Sequence, residues 1–167
     1  MEDKSSQMKK KAAFDDLFVL IIVGFIFAIF IIICSMLIHK TNTAYQDMDA
    51  IPASAKTMIA NSSNTYDTLF NGIFMTIFLT LAIGSIILAS QIDANPIFFP
   101  ISIIIYVILI IISAVFGNAY YSVASNPEMV TYAENFPIIT FIFNHLVQII
   151  LGIGILLGMV LYAKTRD

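Results

Sequence analysis

The sequence predicts an all-α integral membrane protein: four transmembrane helices in an up-down bundle with both termini cytoplasmic. Three observations carry that prediction. Four apolar stretches, Leu17–Ile38, Leu69–Ala89, Ile97–Phe116 and Ile138–Ala163, reach the length a helix needs to cross a bilayer, roughly 20 residues. None of them contains Asp, Glu, Lys or Arg. The basic residues fall mainly in the segments that an even number of crossings would place on one side.

Composition agrees. Hydrophobic residues make up 59% of the 167 residues and mean hydropathy is +0.92, against about 45–50% apolar residues in soluble chains. Charged residues are only 11%, which leaves too little polar surface for a separate soluble domain. The expectation is one membrane domain over 1–167, with helices at about 14–39, 68–91, 96–117 and 137–164 and outer loops at 40–67 and 118–136. A net charge of −3 and the lack of a patterned basic cluster argue against nucleic acid as a partner.

The first span is longer than the apolar core of a signal peptide, roughly 7–15 residues. His39, Lys40 and Thr41 follow it, with no small-residue cleavage pattern, so a retained helix is expected. Asp15 and Asp16 precede it, where negative charge complements the helix dipole. Gly24 and Ala28 form a small-xxx-small pair that lets a neighbouring backbone approach. Cys34 has no second cysteine to pair with and reads as a small core residue.

The loop at 40–67 is polar. Within it Ile51, Ala55, Met58 and Ile59 fall at near-helical spacing after Pro52. That predicts a short helix on the bilayer surface or across the helix ends. Asn61-Ser62-Ser63 matches the N-glycosylation pattern, which matters only in a eukaryotic secretory route.

The second span carries Thr76, Thr80 and Gly84 at intervals of four, one stripe of a helix. A threonine hydroxyl can bond its own backbone one turn back, so packing is preferred to a pore lining. A tight turn at Gln91–Pro96 then leads into the third span. That span has Pro100 in its first turn, Tyr106 inside it and the most lipid-like surface. Tyr120, Tyr121 and Tyr132 in the second outer loop suit an interfacial aromatic belt.

The fourth span is the informative one. Thr140, Asn144, Gln148 and Gly152 follow a four-residue ridge with His145 beside it, and Gly154 and Gly158 make a G-x-x-x-G pair. Amide and imidazole groups in hydrocarbon need partners, so this stripe is expected to face protein. For His145 an interhelical hydrogen bond is favoured over a polar constriction in a pore or a haem or metal ligand. The other histidine, His39, lies at a different depth, by about 10 Å at 1.5 Å rise per residue.

Lys4, Lys9, Lys10 and Lys11 before the first span, with Lys164 and Arg166 after the last, outweigh Lys40 and Lys56 on the opposite side. Both termini are therefore expected in the cytoplasm. No metalloprotease helix, nucleophile elbow, phosphate loop, paired intramembrane aspartate or buried lysine is present. These absences predict a non-enzymatic protein without cofactor or metal. The expected role is structural: a subunit of a larger membrane complex, hetero- or homo-oligomeric, in a cell membrane or in the membrane of a lipid-containing virus particle. The competing reading is a holin-like pore-former or small transporter using the polar stripe of the fourth helix.

Overall fold

A computed structural model describes residues 4–90 and 98–164, with side chains described for 17–87, 103–160 and 162–163. It contains α1 (Lys4–Gln46), α2 (Ala53–Ser90), α3 (Phe98–Ala124), the single turn α4 (Val130–Ala133), α5 (Pro137–Asn144) and α6 (Leu146–Lys164). No strand occurs among the described residues. Three helices are long and apolar enough to cross a membrane, or four if α5 and α6 count as one span bent by 68°. The expected turn at Gln91–Pro96 and Arg166 lie outside the described residues, as do the side chains of Lys4, Lys9, Lys10, Lys11, Asp15, Asp16 and Lys164.

The first two helices run well past the bounds expected for them. The segment expected as a loop at 40–67 is helical except for the turn 47–52. Its polarity does not mark where helix ends. Thr43, Thr57, Thr65 and Thr68 each donate to the carbonyl one turn back, keeping their hydroxyls within the helix. Gln46 Nε2 donates to the Lys56 carbonyl at 2.9 Å while Lys56 Nζ donates to the Gln46 carbonyl at 2.6 Å. This reciprocal pair clasps α1 and α2 just before their turn. The short helix expected after Pro52, on the bilayer surface or across the helix ends, is instead the first part of α2.

The pairing is antiparallel. Residue contacts between α1 and α2 run from Gln46–Lys56 to Ser35–Asp67. Those between α3 and the last helices run from Tyr120–Thr140 to Tyr106–Leu151. The exposed ridge of α3, made of Ile104, Ile108, Ile111 and Val115, has only branched aliphatic side chains, as a lipid-facing surface requires.

The two helix pairs meet around Phe143, which is 2% exposed. Its ring stacks on Tyr120 at 4.6 Å between centroids and lies edge-on to Phe25 at 6.2 Å and tilted to Phe74 at 6.1 Å. One side chain of α5 thus touches α1, α2 and α3. In lipid the surroundings are as apolar as the core, so this cluster stabilises by close contact and ring geometry more than by leaving water.

Phe143→Ala should therefore loosen all three contacts at once, by about 3 kcal/mol, the lower end for a buried phenylalanine truncation. Reversible unfolding in mixed micelles measures this; a change below about 0.5 kcal/mol, the scale of surface substitutions, would contradict the hub.

Candidate functional site

Two polar features interrupt the apolar bundle, and the sequence foreshadows only one of them. The first lies at the end that carries the α1–α2 turn. Ser35 and His39 are four apart on α1 and so share a stripe. That stripe faces Asp67 of α2. Ser35 Oγ donates to Asp67 Oδ1 at 2.8 Å, and His39 Nε2 donates to Asp67 Oδ2 at 2.8 Å. Ser35 is fully buried, and His39 and Asp67 keep only 25% and 13% of their side chains exposed. Asn135 comes within 3.5 Å of the same His39 nitrogen. That nitrogen already spends its proton on Asp67, so the contact is proximity and not a second bond.

The order of these groups decides their chemistry. In a nucleophilic triad the imidazole stands between carboxylate and hydroxyl. Here the carboxylate stands in the middle, Ser35 points away from His39, and the serine has no surface through which a substrate could arrive. The arrangement ties α1 to α2 and satisfies a carboxylate at the edge of the apolar layer. One turn further along α2, Asn71 buries its amide oxygen with no hydrogen-bond partner. Among the described residues, no group of three or more His, Cys, Asp and Glu side chains assembles as a metal site would need.

Asp67 falls two residues outside the apolar stretch Leu69–Ala89, so a charge count over that stretch misses it; the apolar helix Ala53–Ile87 nevertheless includes it. The i, i+4 spacing of Ser35 and His39 was the available signal.

The second feature is the break between α5 and α6. No proline stands there. His145 takes φ −114° and ψ 19°, outside helical geometry. Both its backbone N–H, at 3.1 Å, and its Nδ1, at 2.9 Å, donate to the Phe141 carbonyl. An imidazole competing for the carbonyl one turn back is a physical cause for a kink. The favoured interhelical bond for His145 is thus replaced by a bond within its own helix.

The rest of the anticipated stripe divides around this break. Thr140 is half-buried and shares a 2.9 Å bond with the Tyr120 hydroxyl. Asn144 is exposed at a cleft of about 190 Å³ between α3 and α5 that Tyr120, Tyr121 and Glu134 also line. His145, Gln148 and Gly152 are exposed. The stripe expected to face protein therefore turns away from the rest of the chain over these residues. The reason lies in α6, whose core face is the apolar set Leu146, Ile150, Ile153 and Leu157. Gln148 and Gly152 stand opposite that set at 100° per residue.

The small residues differ among themselves. At Gly154 the Tyr106 ring lies where a Cβ would stand, and the Tyr106 hydroxyl donates to the Leu151 carbonyl at 2.7 Å, with that of Ile150 at 3.2 Å. Gly24, Gly84, Gly152 and Gly158 have nothing within 4 Å of such a Cβ. Ala28 is buried. Thr76 is exposed and donates to the Gly72 carbonyl at 2.9 Å, and Thr80 is exposed on the same helix. Of the Gly154–Gly158 pair, only Gly154 is closely packed, under the Tyr106 ring.

Among the described residues the only regular structure is helix, and the fold is compatible with a multi-pass membrane protein. No protein-family model matches it, and neither a curated protein nor a solved structure matches it significantly.

Two outcomes follow from the geometry. Asp67→Ala should cost about 1–3 kcal/mol, because it strands a buried hydroxyl and an imidazole. Adding Ser35→Ala to that variant should then cost little more, and a double-mutant cycle in mixed micelles reads this coupling. Gly154→Ala should displace Tyr106 at a cost of about 1–3 kcal/mol. Gly158→Ala should stay within about 0.5 kcal/mol; equal losses at the two glycines would show that the Tyr106 contact is not the seam.

Proposed function

We propose that this protein is a non-enzymatic structural or assembly subunit of a larger membrane complex, holding a neighbouring polypeptide against the outer face of α6. One observation carries the reading: Gln148 is exposed on an apolar helix, with no side-chain hydrogen-bond partner among the described residues. An amide facing acyl chains has nothing to bond, a cost of several kcal/mol, roughly, in hydrocarbon. A protein neighbour removes that cost; lipid does not.

The register supports placing Gln148 deep in the bilayer. Tyr106 of α3 sits on Leu151, and a Cβ on Gly117 would lie 3.1 Å from the Phe143 carbonyl oxygen. Between those two levels Gln148 lies beside the middle of α3. In the same reading both termini are cytoplasmic, on the distribution of lysine and arginine.

The arrangement at Asp67 adds to it. An ionisable residue within a span is by default a sign of transport or proton relay. Here the carboxylate is tied to Ser35 and His39 at the end of the apolar stretch, with Phe74 and Phe78 buried below it. That suits a structural tie better than a conduction path.

The test separates assembly from conduction. Induced expression in a bacterium should leave the membrane potential unchanged, and extraction in lipid nanodiscs should yield particles containing more than one polypeptide. Gln148→Leu should still accumulate in the membrane but lose the assembled fraction. Collapse of the potential would favour the pore-former, and a lone chain in every nanodisc would defeat both readings.

A further inference from the structure

The outer face of α6 has a regular pattern that identifies its occupant more closely. Gln148, Gly152, Ile155 and Met159 are all exposed, Ile155 at 47% and Met159 at 62%. Their spacings are four, three and four residues. That alternation is the seam of a left-handed helix pair, in which neighbouring helices cross at about 20°. It lies opposite the core face of Leu146, Ile150, Ile153 and Leu157, so its residues are not needed to hold the chain's own bundle together.

From this face we infer that the protein forms a symmetric dimer in the membrane, α6 against α6 of a second copy. The inference rests on the assembly reading above and names its partner. Chains inserted by one route share one orientation, so the two-fold axis of a dimer runs along the membrane normal. Each residue of the seam then meets its own counterpart at its own depth. Gln148 is the only polar side chain among the four, and its amide both donates and accepts. Two copies therefore satisfy each other reciprocally, whereas an unrelated helix needs a polar group that happens to lie at the same depth.

The rest of the face is equally self-complementary. Gly152 has open space where a Cβ would stand, which lets two backbones approach one turn from the paired amides. Ile155 and Met159 supply apolar contact beyond it. No Asp, Glu, Lys or Arg occurs between Pro137 and Ala163, so nothing on this face repels a like copy or calls for a charged partner. A single buried amide in such a seam also fixes its register.

Cysteine cross-linking of the full chain in native membranes tests this. The background is Cys34→Ala, which removes the one native thiol. Single substitutions Gly152→Cys, Ile155→Cys and Met159→Cys are then compared with Ile108→Cys on the exposed face of α3. Oxidation should give a band at twice the 18.5 kDa chain mass for the three seam positions and not for position 108. Restoring Cys34 in an otherwise native chain with Gln148→Leu should weaken the dimer, raising its dissociation constant about 3- to 30-fold, while Gln148→Asn should retain most of the affinity. Cross-linking with the same periodicity to a chain of another mass would overturn the dimer and leave the assembly reading standing. Seam thiols that cross-link to nothing and behave like position 108 would overturn both. Seam thiols that react with membrane-impermeant reagents would also overturn the dimer, because they would place water on this face.

Discussion

Hydrocarbon does not hydrogen-bond, and for a chain of apolar helices that constraint organises most of the polar side chains among the described residues. It forces the backbone into helices, since only there does each amide find its acceptor within the same segment. It then acts on the side chains. Ser63, Ser85 and Ser113 are buried, and each returns its hydroxyl to a carbonyl of its own helix. Tyr106 and Tyr120 reach across to partners on the last helices. Asp67 is satisfied twice. Against that background two amides stand out: Asn71, which buries its oxygen without a partner, and Gln148, exposed on an outer face with no hydrogen-bond partner among the described residues.

The break at His145 arises from the same constraint. A histidine in an apolar helix can find a partner on a neighbour or on its own backbone. It takes the second course, and the doubly used Phe141 carbonyl leaves the helix unable to continue straight. The bend matters for packing. It lets Phe143 on the short segment settle among Phe25, Phe74 and Tyr120 while α6 keeps its separate core face against α2 and α3. A straight helix would have to satisfy both sets of contacts along one line.

Much of the fold was legible because hydrophobic length is a strong signal and depends little on tertiary context. The helix ends were not, since polarity reports the solvent and not the backbone. Residues 53–66 look like a loop beside a membrane span, yet they continue α2 with the hydroxyls of Thr57, Ser63 and Thr65 folded back on the helix. The polar stripe of the fourth span was visible as spacing. Its direction was not, because direction depends on which face α6 gives to α2 and α3, and apolar residues surround the whole helix. Gly154 and Gly158 illustrate the same limit. They are equivalent as a motif, and only the position of Tyr106 distinguishes them.

Asp67 shows how a small displacement along the chain changes a functional argument. Placed at the centre of a span, a carboxylate invites a transport or proton-relay reading. It sits instead where the apolar stretch of α2 begins, with a clasped helical hairpin on one side and buried phenylalanines on the other. The α2 segment Ala53–Tyr66 extends about 20 Å beyond it at 1.5 Å per residue. The tie from Asp67 to Ser35 and His39 therefore stands at the root of this projection and holds its two helices in register as they emerge. A conducting protein needs its ionisable group free to exchange partners along a path. A carboxylate that already accepts two hydrogen bonds, above a layer of aromatic rings, gains nothing by moving. The same placement that makes Asp67 expensive to mutate makes it a poor carrier, and this favours the structural reading over transport on physical grounds.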